Sequence, residues 1–321
     1  MEPQLSPHSC NINYVRLLVG RGLSLGDKTP EQAATDLEFA GFYNIFNYTR
    51  DMLQSDGRTF LEGITWDDIV SRINADRELR RLYSQYLEMA EARIKTEVAS
   101  ELAGKYGPFG YLDGDNFASW QRHSNFLSNL GREINREHQL FLDPSIVPGD
   151  NGDLDSIEAG MESGKIPIWG MVDYVSFGIL TRSLYRALEY SDKCAISERF
   201  NINSEKIFNG YLQQLAIVRN VCAHHSRLFD RRFVDVCPLE EKHLKVIESC
   251  SPGFKIDRHS LFASTLALVS MLPIPVALKF VSTLSEFAAK FDTYGLKNCG
   301  FSDNWVPILT GVIRSNTRRA E

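Results

Sequence analysis

The sequence predicts an all-α fold, because apolar residues recur at three- and four-residue steps along most of the chain. The strict alternation of apolar and polar residues that is typical of half-buried strands is scarce. The 321 residues are 43% hydrophobic and 24% charged, which is an ordinary balance for a globular protein with a sizeable core. These observations favour a helical bundle and exclude disorder as a description of the whole chain.

The longest predicted helix begins with a helix-start pattern. Thr65 supplies a hydroxyl cap and Asp68 supplies an acid three residues later. Apolar residues then recur on one face as far as Leu102. We expect the helix to end at Gly104, before a turn that contains Gly107.

The same spacing predicts the other helices and divides the chain into three segments. Helices are predicted over residues 116–140, from Pro167 onward, over residues 204–225, and as a pair within residues 259–291. Residues 143–165 are rich in glycine, proline and acids, which predicts a solvated loop. The predicted segments are an N-terminal helical segment (1–62), a helical core (63–245) and a C-terminal helical extension (246–321).

Composition limits the partners and the compartment. The net charge of −6 excludes nucleic-acid binding through overall charge, so a polyanion would need a local basic patch. The six cysteines are scattered and form no C-x-x-C pair, which argues against a zinc framework and against a disulfide-stapled secreted domain. Reduced thiols in a cytoplasmic protein are the expectation.

No targeting segment is recognisable near the start of the sequence, and one uncharged stretch needs comparison with a membrane span. Residues 261–278 are uncharged, but Pro273 and Pro275 interrupt them. We therefore expect two buried helices separated at the prolines and no membrane partner.

Residues 219–233 concentrate the chemistry of the chain. They contain two histidines, His224 and His225, and a single acid, Asp230. They also contain four arginines: Arg219, Arg227, Arg231 and Arg232. In an acidic chain this stretch predicts an anion site. The interleaved Phe229 and Phe233 could stack on bases, although burial in the core is the favoured role for both.

Helix geometry separates the two histidines. At about 100° per residue, His225 falls in the middle of the buried face, whereas His224 falls beside Asn220 on the polar face. His225 is therefore the better candidate for a buried core histidine, and His224 for chemistry. Arg219 lies about 140° from His224. Only the reach of the arginine, or a second copy of the chain in a dimer, would bring both to one phosphate.

These residue types suit RNA cleavage without a metal or another cofactor. Attack of a ribose 2′-hydroxyl on the adjacent phosphorus requires one proton to be removed and another to be donated, and a histidine can do either near neutral pH. An arginine fork can stabilise the charge that develops on the phosphorane. A zinc site at Cys222, His224 and His225 is disfavoured, because the adjacent histidines point to different sides and no further ligand has suitable spacing.

The motif and its flanks resemble a known group. Arg219, Asn220 and His224 match the R-x(4–6)-H signature of the HEPN superfamily of α-helical ribonucleases. The string from Arg219 to Phe233 resembles the hallmark of the Abi-like family of phage abortive-infection proteins. Four flanking segments are similar to that family as well: residues 21–23, 86–93, 165–178 and 296–305.

The resemblance implies a HEPN-type bundle that works as a homodimer and cleaves RNA in antiviral defence. It assigns catalytic roles to Arg219, Asn220 and His224, and a protein or RNA antitoxin is a fair expectation for a toxic nuclease. The alternative for Arg219 is a helix cap or an ion pair with Glu91. The remaining basic residues are candidate RNA contacts, namely His225, Arg227, Arg231 and Arg232. For the three arginines among them a solvated face is the equal alternative. Two alternatives stay open: a HEPN module that binds RNA without cutting it, and a helical interaction scaffold.

The sequence departs from the family near its N-terminus. A family arginine and a family glycine are replaced by Asn44 and Asn47 in the stretch from residue 42 to residue 48. Any contact made by that arginine to RNA or to a partner is therefore lost or remade here. The change does not touch the motif itself.

Overall fold

The structure, a computed structural model, describes residues 7–40, 44–137, 165–291 and 296–316. Within these ranges the chain is helical, and β pairing is limited to isolated bridges such as the one between Ser24 and Thr65. The prediction of an all-α fold is confirmed.

The helices are numbered here in chain order, and short connections join most of them. The α-helices are α1 (Pro7–Gly20), α2 (Pro30–Ala40), α3 (Asn44–Tyr48), α4 (Trp66–Tyr106), α5 (Trp120–Glu137), α6 (Ile168–Tyr174), α7 (Phe177–Ile179), α8 (Tyr185–Ala187), α9 (Tyr190–Arg199), α10 (Glu205–Ala223), α11 (Glu241–Cys250), α12 (Leu261–Met271), α13 (Ile274–Lys290) and α14 (Trp305–Ser315). A π-helical turn, Leu180–Leu184, joins α7 to α8. The 3-10 helices are Arg50–Met52, Gly110–Leu112, Gly114–Asn116 and Leu296–Cys299.

The long helix α4 begins as predicted and ends later than predicted. The Thr65 side chain accepts from the backbone N–H of Asp68, whose carboxylate accepts from the backbone N–H of Thr65. The predicted end at Gly104 is wrong, because the helix runs to Tyr106 and its cap is Gly107, with φ +76°. A single glycine lowers helix propensity by only about 1 kcal/mol. The hydroxyl of Tyr106 donates to buried Asp192 at 2.9 Å, so a contact with α9 holds the last turn in place.

Two predicted helix boundaries also shift. The helix predicted over 116–140 begins at Trp120, and the last three predicted residues lie outside the described ranges. Pro167 is the cap of α6 rather than its first residue. The solvated loop predicted over 143–165 lies outside the described residues, except for Lys165.

The helix α12 forms the centre of the bundle. All of its residues, Leu261–Met271, are buried, and it packs against α4, α10 and α14. Pro273 caps the following helix α13, so the uncharged stretch forms two helices, as predicted. Among the described residues, no helix combines the length and the apolar character needed to cross a lipid bilayer.

Two apolar clusters meet along α4. The smaller cluster contains residues of the N-terminal helices and the start of α4, from Tyr14 to Ile73. The larger cluster extends from Leu79 to Ile313 and includes the C-terminal helices. Asp76 lies on α4 between Ile73 of the smaller cluster and Leu79 of the larger one, and it forms a buried ion pair with Arg80. The long helix therefore belongs to both clusters and carries a buried ion pair where they meet.

Candidate functional site

The helix α10 carries the first half of the motif and ends inside it. Ser204 caps its N-terminus, and its buried face includes Tyr211, Leu215 and Cys222. The residue that caps its C-terminus is His224, whose backbone N–H donates to the carbonyl of Asn220 at 2.9 Å. Because the helix ends at Ala223, the histidines stand at its exit rather than within it.

The exit of α10 is a Schellman motif with a histidine where glycine is usual. The N–H of Ser226 donates to the carbonyl of Val221 at 3.0 Å, and the N–H of His225 donates to that of Cys222 at 3.2 Å. This hydrogen-bond pair places the residue after the cap in the left-handed region. His225 has φ +54°, a conformation that histidine adopts more readily than most residues with a side chain.

The predicted burial of His225 is wrong, because the helical projection fails once the helix has ended. His225 is exposed, and so is His224, as the projection predicted. Phe229 and Phe233 are buried, which confirms the core role expected for both.

The loop after α10 carries the other three predicted arginines, two of which are held by main-chain carbonyls. A guanidinium nitrogen of Arg227 donates to the carbonyl of Asn47 at 2.5 Å, and Arg231 donates to the carbonyl of Arg227 at 3.2 Å. Arg232 pairs instead with the carboxylate of Asp257. The carbonyl contacts position Arg227 and Arg231 without neutralising them, so their charge is available to an anion.

These residues surround a pocket of about 640 Å³. The structure brings together five of the predicted residues there, and adds Asn47 and Arg50 from the N-terminal side of the chain. The lining residues are Asn47, Arg50, His224, His225, Ser226, Arg227, Asp230, Arg231 and Arg232. Four arginines thus face one acid of the lining, Asp230. The electrostatics of this pocket favour an anionic ligand.

Arg219 and Asn220 do not line this pocket. The Nε of Arg219 lies 3.5 Å from a carboxylate oxygen of Glu91 on α4, and one of its terminal nitrogens lies 3.5 Å from the side-chain oxygen of Asn220. Glu91 also pairs with Lys95 at 3.1 Å. The ion pair with Glu91 directs Arg219 toward α4, and among the described residues Arg219 is not part of the lining of the pocket that contains His224.

A buried carboxylate positions the loop that carries the pocket. One oxygen of Asp76 accepts from the backbone N–H groups of Leu228, at 3.0 Å, and Phe229, at 2.6 Å. The other oxygen accepts from the hydroxyl of Tyr48 at 2.5 Å and pairs with Arg80. Burial raises the pKa of Tyr48, which keeps its hydroxyl protonated as a donor. The carboxylate therefore links the loop to both α3 and α4.

The thiol of Cys222 is not available as a metal ligand beside the histidines. Burial raises its pKa to about 11, whereas a thiolate is the form that binds metals. Cys222 is buried in the core, and His224 and His225 are exposed. Within the described ranges, no group of three or more His, Cys, Asp or Glu side chains is arranged to hold a metal ion.

Sequence reasoning missed three residues that build this region. Asn47 lies in the stretch from residue 42 to residue 48, where the family departure was noted, and Arg50 follows that stretch, but nothing local connects either residue to the motif. Asp76 did carry a signal, because an acid lies there on the apolar face of α4, three residues after Ile73. A charge on a buried helix face predicts a buried partner.

Comparison with known families adds a finding to this geometry. Residues 36–230 match the Abi-like protein family, which is more than half of the chain. The chain belongs to the Abi-like protein family. The family name associates this Abi-like protein with abortive infection, a defence against phages. No curated protein and no solved structure shows significant similarity to it.

The matched region contains most of the pocket of this Abi-like protein. It begins within α2 and ends at Asp230, so it includes Asn47, Arg50 and both histidines of the motif. Arg231 and Arg232 follow directly after it. The family match thus includes the N-terminal wall of the pocket as well as the end of α10.

Proposed function

We propose that this Abi-like protein is a HEPN-type endoribonuclease that cuts RNA at the pocket around His224 and arrests the infected host. The observation that carries the proposal is the exposed His224 in a pocket lined by four arginines. An imidazole that can accept or donate a proton and a set of guanidinium groups that can bind a phosphate are the functional groups that transesterification of RNA requires.

The chemistry needs no metal or other cofactor. The 2′-oxygen of a ribose forms a bond to the adjacent phosphorus while the bond to the 5′-oxygen of the next nucleotide breaks. One proton leaves the 2′-hydroxyl and one proton reaches the departing 5′-oxygen, so the products are a 2′,3′-cyclic phosphate and a 5′-hydroxyl. His224 carries one of these proton transfers. The arginines of the pocket hold the phosphate and stabilise the charge that develops on it.

The proposal assigns Arg219 and Asn220 to a homodimeric site. Arg219 faces Glu91 and lies outside the pocket of its own chain. A second copy of the chain that faces the first would supply Arg219 to the phosphate bound beside His224. Asn220 would orient the phosphate or the imidazole of His224 at the interface between the two copies. An antitoxin, either protein or RNA, would restrain the nuclease in an uninfected cytoplasm.

The test is cleavage of RNA by the purified protein in EDTA. End-labelled total RNA and tRNA are incubated with the unmutated protein and with His224→Ala, and circular dichroism verifies that both are folded. We expect fragments that end in cyclic phosphate from the unmutated protein and none from His224→Ala. Equal cleavage by a folded His224→Ala protein would remove His224 from the mechanism.

Binding of RNA without cleavage is the second candidate function. The observation that favours it is the ion pair of Arg219 with Glu91, which leaves the pocket without the motif arginine. Intact RNA with a salt-sensitive shift on a native gel, in both proteins, would select this function. A purely structural motif is disfavoured, because His224 is exposed rather than packed in the bundle.

A further inference from the structure

A second basic surface, which we term the α5 cleft, lies between α5 and the segment from Ser176 to Arg186. It has a volume of about 720 Å³. Its lining is polar along nearly its whole length, and Ile179 is its one large apolar side chain. The lining residues are Arg122, Asn125, Ser128, Asn129, Arg132, Glu133, Ser176, Gly178, Ile179, Arg182, Ser183 and Arg186.

Among the described residues, the α5 cleft has more positive than negative side chains. Its four arginines are exposed and face a single acid of the lining, Glu133. Arg122 donates to the carbonyl of Arg186 at 3.1 Å, which leaves its charge uncompensated. In the described part of the chain, the guanidinium groups of Arg182 and Arg186 form no hydrogen bond or ion pair. The net charge of the whole chain is −6, so this concentration of cations is local.

Helix geometry arranges these cations in two rows. On α5, Arg122, Asn125, Asn129 and Arg132 follow one another at three- and four-residue steps and span about 15 Å of one face. On the opposite wall, Arg182 and Arg186 are four residues apart across the π-helical turn. A π turn inside a helix costs regular hydrogen bonding and is frequent at functional sites. Here it buries Leu180, Thr181 and Leu184 while Arg182 remains exposed.

We propose that the α5 cleft binds the phosphodiester backbone of the RNA substrate, an inference that rests on the proposed function. Two rows of guanidinium forks with amides and hydroxyls between them are suited to successive phosphates and riboses. A protein partner would require an apolar centre, and the lining offers only Ile179. Contacts to the backbone are independent of sequence, so the cleft contributes affinity and positioning rather than base recognition.

The motif helix connects the α5 cleft to the pocket. The side-chain amide of Gln213 on α10 donates to the carbonyl of Thr181 in the π turn at 3.0 Å. At about 100° per residue, Gln213 and Asn220 project from the same side of α10, and His224 is the cap of that helix. About 15 Å of helix axis separates Gln213 from the end of α10, which is roughly the length of four to five stacked nucleotides. The proposal therefore has one RNA strand contact the cleft and the pocket together.

The test is binding of a 20-nucleotide 2′-O-methyl oligouridine, measured by fluorescence anisotropy over a range of salt concentrations. This probe lacks the attacking 2′-hydroxyl, so the unmutated protein binds it without cutting it. For Arg182→Ala/Arg186→Ala we expect affinity to fall about tenfold and the salt slope to decrease by about 1.4. The matched control, Arg16→Ala/Arg81→Ala, removes two exposed arginines outside both sites and changes net charge equally. It should bind within about twofold of the unmutated protein.

Equal losses in the two double variants, or no loss in Arg182→Ala/Arg186→Ala, would overturn the proposal. Preferential binding of polyaspartate over the RNA probe, abolished by Arg182→Ala/Arg186→Ala, would overturn it in favour of an acidic protein. Arg182→Lys/Arg186→Lys retains both positive charges, so it distinguishes a loss of charge from a folding defect in the alanine pair. We expect it to lose less affinity than the alanine pair.

Cleavage of an unmodified RNA by the same proteins separates the two proposals. If only Arg182→Ala/Arg186→Ala loses affinity and no protein cleaves RNA, the proposal that the cleft binds RNA stands and the proposal of nuclease activity is contradicted. If all the proteins cleave RNA and bind the probe equally well, the proposal of nuclease activity stands and the proposal that the cleft binds RNA is contradicted.

Discussion

The carboxylate of Asp76 accepts a 2.6 Å hydrogen bond from the backbone N–H of Phe229, 153 positions further along the chain. Asp76 is fully buried on α4, and Phe229 lies in the loop that carries three of the four arginines of the pocket. A charged acceptor buried away from water strengthens such a bond and makes its loss costly. The loop is therefore held by the long helix and does not depend on its own few contacts for its position.

Asp76→Ala should destabilise the protein by about 3–5 kcal/mol, because it leaves Arg80 without its buried partner. Asp76→Asn should lose less, since an amide oxygen can still accept from the loop. The checks are urea unfolding and hydrogen exchange, in which the amides of Leu228 and Phe229 should exchange faster. The control is Asp235→Ala, which removes an exposed carboxylate a few residues after Phe229 in the sequence. Unchanged exchange at these two amides in Asp76→Ala would contradict the prediction.

His225→Gly should leave stability unchanged or raise it by up to about 1 kcal/mol. Glycine adopts positive φ without the steric cost that a side chain imposes, and it is the usual residue at this position of a Schellman motif. His225→Val should lower stability by about 1–2 kcal/mol, because a β-branched side chain is disfavoured there. Thermal unfolding of both variants tests the pair. A valine variant as stable as the glycine variant would refute the left-handed geometry.

Glu91→Gln should tighten RNA binding by two- to fivefold, because it removes the anion that competes with phosphate for Arg219. The cost in stability should be about 1 kcal/mol, since the Arg219 side chain is 40% exposed, although the ion pair of Glu91 with Lys95 is lost as well. The matched control is Glu88→Gln, which makes the same charge change one turn away on α4. Affinity for a 2′-O-methyl RNA is the measurement, and equal effects of the two variants would mean that general charge is responsible.

Stability should fall as the pH drops from 7 to 5, in part because of His243. Burial lowers the pKa of its imidazole to about 4, below the ordinary value of 6.5. The folded state therefore holds a neutral imidazole. The contribution of His243 to the free energy of unfolding is fully present above pH 6.5 and is lost as the pH falls toward 4. Between pH 7 and pH 5 the loss is about 2 kcal/mol.

Comparison with His243→Gln isolates this contribution. The variant should lose less stability over the same pH range, measured by urea unfolding at each pH. Burial raises the pKa of the neighbouring Glu240, so its titration opposes that of His243 in both proteins. The pKa of His123 is also lowered by burial, and its effect is common to both as well. Identical pH profiles for the two proteins would rule out His243 as the source.

Features that depend on neighbours in the sequence were predictable. The capping pair of Thr65 and Asp68 lies within one helical turn, and its signature is the two residue types at that spacing. The apolar face of α10 followed from periodicity. Its end did not, because His225 occupies a position that glycine usually marks, and the prediction continued the helix two residues too far.

Features that depend on distant contacts were not predictable in this way. The contact between Arg227 and the carbonyl of Asn47 joins residues 180 positions apart, and neither residue type indicates the other. The extension of α4 past Gly104 depends on its packing against α9, which overrides a weak local preference. The sequence therefore indicated which residues carry charge and imidazole groups, and tertiary contacts decided which of them share a pocket.

The participation of α4 in both apolar clusters ties the first sixty or so residues to the pocket that contains His224. A protein shortened to begin at Trp66 would contain the complete motif from Arg219 to His224. It would nevertheless lack Tyr48, which donates to Asp76, and the wall formed by Asn47 and Arg50. Truncation at that point would leave the motif residues intact, expose the apolar start of α4 and remove one wall of the pocket.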